Sequence, residues 1–112
     1  MNIEKFHIYL ADLNPAFGTE PGKVRPVVVV QTNILNNLHQ STIICPLTTK
    51  IQESYLLRVR VFSKDSGLSV VSDIMVDQIT AIDNRRFKRY LGRLNDHQAG
   101  TLLENIKHLI FE

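Results

Sequence analysis

The chain has 112 residues, of which 44% are hydrophobic and 21% are charged, and its formal net charge is +2 at pH 7. That length suits one compact domain over residues 1–112 and is too short for two, and the composition is that of an ordinary globular protein. No apolar stretch approaches the ~20 residues of a membrane-spanning helix, and Met1 to Phe6 lack the apolar region of a signal peptide. We expect a cytoplasmic protein that does not associate with membranes.

The first half of the chain predicts three strands. Residues 6–11 alternate in the period-two pattern of a half-buried strand. Residues 24–31 are a β-branched run that is apolar on both faces, which indicates a central strand with Pro26 at its start. Residues 41–47 predict the third strand. Turns, loops or one short helical turn are expected at residues 12–15, 32–40 and 48–50.

The second half predicts shorter strands. Residues 55–62 alternate again, with aliphatic side chains on one face and Arg58 and Arg60 on the other. Residues 63–67 read as a turn because they combine Ser, Asp and Gly. One or two further strands are expected within residues 70–76 and 78–82, and another short one at residues 90–94.

Only the C-terminus predicts a helix, over residues 96–111. Asn95 is a favourable N-cap residue, and Gln98 stands three residues later as its capping-box partner. The apolar residues recur with helical spacing, which indicates one buried stripe. The stripe comprises Leu102, Leu103, Ile106, Leu109 and Ile110.

Short strands followed by one helix predict a mainly β fold, either a small antiparallel barrel or a strongly twisted sheet with the helix packed on it. Side chains fill the interior of such a small barrel, so any site has to lie outside or at a rim. Cys45 is expected to be a small core residue that cannot form an internal disulfide. The four histidines stand at no metal-ligand spacing, and nucleotide-loop and serine-triad motifs are missing, so we expect neither metal nor cofactor.

The clearest chemical signal is the polar, glycine-bracketed loop of residues 18–26, which places Arg25 at the start of the apolar strand. A guanidinium there can hold a phosphate or carboxylate in a bidentate manner. Strand ends two connections apart can be neighbours, which would bring Thr48 beside Arg25, and Glu20 could orient the arginine or act on a proton. From these residues alone, a surface ion pair, a plain strand terminus and ordinary loop polarity remain open alternatives.

A second basic segment leaves its meaning open. Five cations crowd into nine residues, and they could meet phosphates or simply form a solvated face. They are Arg85, Arg86, Lys88, Arg89 and Arg93.

Three ordered motifs resemble those of the MazF/PemK toxins. Residues 17–29, Phe-Gly-Thr-Glu-Pro-Gly-Lys-Val-Arg-Pro-Val-Val-Val, are similar to the family's first-loop motif. Pro46-Leu47-Thr48 resembles its P-[LV]-T at the end of the third strand, and residues 72–79 resemble its S-x-[VI]-x-x-[DE]-Q-[VI] segment. The similarity covers nearly the whole chain with the spacing intact. One departure is Thr80, since relatives often carry Arg or Lys there; the charge is then absent or supplied by Arg85 or Arg86.

The resemblance implies an SH3-like small barrel of the CcdB/MazF type and a homodimeric toxin of a type II toxin–antitoxin module. Its activity would be sequence-specific, metal-independent cleavage of single-stranded RNA by attack of the neighbouring 2′-hydroxyl, which DNA lacks. By position, Arg25 would stabilise the phosphorane, Thr48 would hold the phosphate or help to activate the 2′-hydroxyl, and Glu20 matches the acidic loop residue. The predicted RNA-binding residues are Phe17, Thr19, Lys23, Thr49, Lys50, Ser72 and Gln78.

Partners and rival functions follow from the same resemblance. We expect a cognate antitoxin whose acidic, partly disordered C-terminal segment covers the groove that contains Arg25. The main alternative is a non-catalytic, CcdB-like toxin that poisons DNA gyrase on the same fold, although such toxins lack the RP and P-[LV]-T motifs. An inactive SH3-like RNA-binding module is a third possibility.

Overall fold

The structure, a computed structural model, describes residues 1–62 and 64–112. Its strands are β1 (His7–Asp12), β2 (Val24–Val29), β3 (Ser41–Thr48), β4 (Arg58–Val61), β5 (Ser72–Met75), β6 (Thr80–Asp83) and β7 (Phe87–Arg93), followed by helix α1 (Asp96–Phe111). Short 3-10 turns occupy Lys64–Ser66, Val76–Gln78 and Asn84–Arg86. The turn predicted at residues 63–67 includes Ser63, which lies outside the described residues. No helix of the described chain is long and apolar enough to span a membrane.

All the strand pairs are antiparallel. The strands follow the order β4-β5-β3-β2-β1-β7, and β6 pairs with β3 beside this path. β3 therefore contacts three partners: β2 through Ile44 to Pro46, β6 through its first half and β5 through its last two residues. This arrangement confirms the predicted mainly β fold with a C-terminal helix.

The sheet carries an apolar cluster on each face. On one face, Ile8, Val28 and Leu47 pack with Leu102 of α1. On the other face, Tyr9 and Val27 belong to a second buried cluster. Successive residues of β2 are buried on alternate faces, so the predicted central strand is confirmed.

The prediction of a half-buried β1 was wrong. Tyr9 and Ala11, on the face expected to be polar, are fully buried, whereas Leu10 is only partly buried. The Tyr9 ring packs edge-on against Phe87, and its hydroxyl donates to the Asn2 carbonyl. The Phe87 side chain of β7 and the N-terminal residues pack over this face, which the local alternation could not reveal.

Helix α1 begins as predicted and buries a narrower stripe than predicted. Asn95 and Gln98 form the reciprocal capping box. Leu102 is fully buried, but Leu103 and Ile110 are 43% and 50% exposed. The buried face instead includes Asn105, whose amide donates to the Tyr55 carbonyl.

The two ends of the sheet meet through the turn at Lys64–Ser66, which follows β4 and packs against β7. The approach is close at Gly92, where an added Cβ would lie 2.3 Å from the Asp65 carbonyl oxygen. Such backbone contact leaves no room for a side chain. The closure of the barrel therefore depends on a glycine at this position.

Gly92→Ala should lower the free energy of unfolding by about 1–3 kcal/mol, because backbone atoms have to move to accommodate the methyl group. Gly100→Ala is the matched control, since an added Cβ on this exposed helical glycine meets no atom within 4 Å. We expect the control to gain about 0.5–1 kcal/mol. Urea unfolding followed by circular dichroism measures both, and equal stabilities of the two variants would contradict the packing argument.

Candidate active site

The loop between β1 and β2, residues 13–23, forms one wall of the site. Its base is closed by the Leu13 amide, which donates to the Lys23 carbonyl over 2.8 Å, and by the Lys23 amide, which donates to Asn14 Oδ1 over 2.8 Å. Lys23 adopts a left-handed conformation with a φ of +69°. These contacts fix the direction in which the chain enters β2.

The tip of the same loop is closed by Glu20. Its Oε1 accepts a hydrogen bond of 2.9 Å from the Phe17 amide, and its own amide donates to the Phe17 carbonyl over 3.0 Å. Gly18 supports this turn with a φ of +59°. The Glu20 carboxylate thus holds the loop together, while Phe17 and Thr19 are exposed at the tip.

Arg25 is held by two neutral carbonyl groups. Its Nε donates to the Gly22 carbonyl over 2.8 Å and its Nη1 to the Leu47 carbonyl over 3.1 Å, which leaves others of its five N–H donors free. Within residues 1–62 and 64–112 no carboxylate forms an ion pair with it. Burial lowers the pKa of Arg25, although an arginine remains charged at neutral pH.

Pro26 explains why the Leu47 carbonyl is available. The ladder between β2 and β3 ends at the pair of Val27 and Pro46, so the next residues along are Pro26 and Leu47. Proline has no amide hydrogen to donate, and the Arg25 side chain supplies a donor instead. The Arg-Pro sequence therefore draws the guanidinium toward the end of β3.

Thr48 is the last residue of β3 and lies half-buried beside that contact. Its Oγ1 accepts a hydrogen bond of 3.1 Å from the Lys50 amide. Arg25 and Thr48 line one cavity of about 430 Å³, which we call the cleft; its walls are residues 20–26, residues 47–50 and Ser72. The structure thus brings together the two residues that the sequence could only suggest as neighbours.

The cleft contains seven of the ten predicted site residues: Glu20, Lys23, Arg25, Thr48, Thr49, Lys50 and Ser72. The Ser72 hydroxyl is already engaged, because it donates to the Val70 carbonyl over 3.0 Å. Gln78 lies in a second cavity of about 310 Å³, the side groove, which shares Glu20 and Pro21 with the cleft. Phe17 and Thr19 line neither cavity.

Arg86 lies in the same cavity as Thr80, the position at which the sequence departs from the family pattern. Both residues line the side groove, and the Arg86 guanidinium donates to the carbonyls of Asp12 and Asn14. Arg85 instead pairs with Asp83 over 3.0 Å, which lowers the pKa of that carboxyl to about 2. Of the two arginines that the sequence offered, Arg86 is the one in the groove.

A buried charge cluster that was not predicted from the sequence lies next to the cleft. Asp73 is fully buried in β5 and pairs with Arg58 and Arg60 of β4. The available signal was an aspartate in the mostly apolar segment of residues 70–76, together with a predicted strand that carries two arginines on one face. A buried carboxylate requires such partners.

Cys45 is buried as predicted, and burial raises the pKa of its thiol to about 12. In the described part of the chain, no group of three His, Cys, Asp or Glu side chains is arranged to hold a metal ion.

Residues 4–110 match the family described as PemK-like, MazF-like toxin of type II toxin–antitoxin system. The chain is 35% identical over 108 residues to Endoribonuclease EndoA of Bacillus subtilis (strain 168), covering 96% of this chain and 93% of that protein.

Solved structures share the fold. MazF from Deinococcus radiodurans has a TM-score of 0.85 at 20% identity, over 100% of this chain and 99% of that one. An endoribonuclease in complex with its cognate antitoxin from Mycobacterial species has a TM-score of 0.72 at 18% identity, over 96% of this chain and 93% of that one. These likenesses confirm the predicted CcdB/MazF-type fold, and the family match shows that this chain belongs to the PemK-like, MazF-like toxins of type II toxin–antitoxin systems.

Proposed function

We propose that this toxin is a sequence-specific, metal-independent endoribonuclease that cleaves single-stranded RNA, including mRNA, in the cleft. The observation that carries the proposal is Arg25, a half-buried guanidinium that has no carboxylate partner among the described residues and lines the same cleft as Thr48. An uncompensated cation with spare donors is suited to a phosphate group. The relative named Endoribonuclease EndoA supports RNA as the substrate.

The reaction needs only the RNA and the protein. The 2′-oxygen forms a bond to phosphorus as the bond to the 5′-oxygen breaks, which leaves a cyclic phosphate and a free 5′-hydroxyl. One proton leaves the 2′-hydroxyl and one reaches the departing 5′-oxygen, so the step balances without an oxidant or a metal. Negative charge accumulates on the phosphorane oxygens, and that charge is what the site has to stabilise.

Arg25 stabilises this charge because its position is fixed before the substrate arrives. The Gly22 and Leu47 carbonyls hold two edges of the guanidinium, and neither cancels its charge. A preorganised cation in a half-buried cleft stabilises a developing anion more strongly than a solvated one does.

Thr48 acts as a hydrogen-bond donor to the scissile phosphate. Its oxygen accepts a hydrogen bond from the Lys50 amide, which leaves the hydroxyl proton available for donation. A phosphate oxygen bound by Arg25 is a suitable acceptor at this place. The two residues therefore act on the same group from adjacent strands.

The remaining residues bind RNA on either side of the reacting phosphate. Phe17, 74% exposed at the loop tip, is suited to stack on an unpaired base. The other residues divide between phosphate contacts by lysines and base-edge contacts by polar groups, with Ser72 limited to accepting because its proton is used. Lys23 and Lys50 take the first role, and Thr19, Thr49, Ser72 and Gln78 the second.

The protein acts in the cytoplasm as a homodimer and is neutralised by a cognate antitoxin. A solved protein of the same fold is an endoribonuclease bound to its cognate antitoxin, which supports this type of partner. An acidic, partly disordered segment is the expected ligand, because Arg25, Lys23 and Lys50 give the cleft an excess of positive charge.

Arg25→Ala and Thr48→Ala should each slow cleavage of a long unstructured RNA in EDTA by about 10²–10³-fold, since each removes a donor to the phosphorane. Arg89→Ala is the matched control, because it removes an exposed cation outside the cleft and should leave the cut sites unchanged. Gel analysis of the fragments measures both rate and position. Failure of the wild-type protein to cut any RNA, together with inhibition of DNA gyrase, would favour the CcdB-like alternative.

Glu20→Ala should lower cleavage at least tenfold, because the loop loses the hydrogen bond to the Phe17 amide. Glu20→Gln keeps an oxygen that can accept this bond and should retain most of the activity. The pH–rate profile of Glu20→Gln distinguishes the roles. Loss of one limb of the profile would show that Glu20 transfers a proton rather than holding the loop.

Saturating cognate antitoxin should abolish RNA cleavage, and its isolated acidic segment should compete with a short, uncut RNA analogue for the cleft. Fluorescence anisotropy of the labelled analogue measures the displacement. Arg25→Ala should weaken both ligands, because they share the same cation. Unchanged cleavage at saturating antitoxin would contradict occlusion of the cleft.

A further inference from the structure

A buried carboxylate stands directly across the sheet from the proposed phosphate-binding threonine. Asp73 of β5 is 0% exposed and pairs in register with Thr48 of β3 on one side and Arg60 of β4 on the other. Residues paired across antiparallel strands point to the same face. Thr48, Asp73 and Arg60 therefore form one row across three strands.

Three donors satisfy this carboxylate. The Gln52 amide donates to Oδ2 over 2.9 Å, Arg60 Nε donates to Oδ1 over 3.1 Å, and Arg58 Nη1 lies 3.4 Å from Oδ2. We call Asp73, Arg58 and Arg60 the Asp73 cluster. Removing one partner of such a buried pair is costly, because the other charge remains buried without compensation.

The same arginines hold the backbone of the segment that follows Thr48, residues 49–53, which belongs to no strand. Arg58 Nη1 donates to the Lys50 carbonyl over 2.9 Å, and Arg60 Nη2 donates to the Gln52 carbonyl over 3.3 Å. Together with the Gln52 amide, the cluster supplies three attachments to the backbone of this segment.

The cluster is not itself an anion site, because its arginines are already paired. Asp73 contacts both of them, and Glu53 binds Arg60 Nη1 over 3.1 Å. Hydrogen bonds to Asp73 and then to Glu53 raise the pKa of Arg60. Arg25, by contrast, has no carboxylate contact among the described residues. The two groups of arginines therefore differ in role although they are close in the fold.

We propose that the Asp73 cluster is a positioning element for RNA binding: it fixes residues 49–53 so that Thr49 and Lys50 face the cleft and the Lys50 amide keeps the Thr48 hydroxyl oriented. This inference rests on the proposed RNA-cleaving function. Thr48 itself is held by the pairing of β3 with β5, so loss of the cluster should affect substrate binding more than the chemical step.

Asp73→Asn is the principal test, with a short fluorogenic RNA that contains one mapped cut site. We expect KM to rise about tenfold and kcat to fall less, since an uncharged amide cannot serve all three donors. Hydrogen exchange of the Gln52 amide should accelerate about tenfold or more, while the amides of β2 stay protected. Asp83→Asn is the matched control: it makes the same chemical change in an exposed ion pair and should leave KM unchanged.

A purely structural role gives a different result. Partial unfolding lowers the active fraction, so kcat falls while KM and Gln52 exchange in the folded protein stay constant, and that outcome would overturn the inference. If Asp73→Asn does not fold, Arg60→Gln provides the KM comparison, because it leaves Asp73 paired with Arg58 and the Gln52 amide while releasing the Gln52 carbonyl. A wild-type protein that cleaves no RNA refutes the proposed function, whereas equal KM values refute only the positioning role.

Discussion

The triple pairing of β3 is the constraint on which the rest of the structure depends. Along eight residues this strand bonds first to β6, then to β2, and finally to β5. β2 lies on the opposite edge of β3 from β5 and β6, and its pairing with β3 ends at Pro46 because Pro26 cannot continue the ladder. The Leu47 carbonyl then accepts a hydrogen bond from the Arg25 guanidinium, and Thr48 emerges beside that cation. The end of the hydrogen-bond ladder between β2 and β3 therefore forms part of the cleft.

The arginines in and beside the cleft are held by two different kinds of group. Arg25 is held by carbonyl groups, which orient the guanidinium without cancelling its charge. Arg58 and Arg60 pair with carboxylates, which neutralise their charge, and their other N–H groups hold the segment that follows Thr48. A site for a polyanion needs a cation that keeps its charge and surroundings that keep the binding residues in place. A mobile cation would contribute little preorganisation. The proposed catalysis and the proposed positioning of the RNA-binding segment use the same residue type for different purposes.

Local patterns predicted the elements but not always their buried faces. The β-branched run of β2 and the capping box of α1 are confirmed because each reflects interactions within a few residues. The prediction of a half-buried β1 was wrong because the Phe87 side chain and the N-terminal residues pack over its second face. The prediction that Leu103 and Ile110 are buried was wrong for a related reason. The position of α1 on the sheet, and not its periodicity alone, decides which apolar side chains are buried.

The sequence by itself determined the family, through three motifs in the family's order and spacing. It also identified Arg25 and Thr48 as candidate catalytic residues. Those conclusions were possible because a motif depends only on which residues occur and how they are spaced along the chain. Only the tertiary structure decided that Glu20 closes its own loop, that Arg86 occupies the groove beside Thr80, and that Asp73 lies opposite Thr48. Each of these contacts depends on strand register or loop geometry, and the register is set by burial on both faces of the sheet at once. Tertiary structure therefore decides which groups a carboxylate contacts, and the roles of Glu20 and Asp73 could not be assigned from the sequence alone.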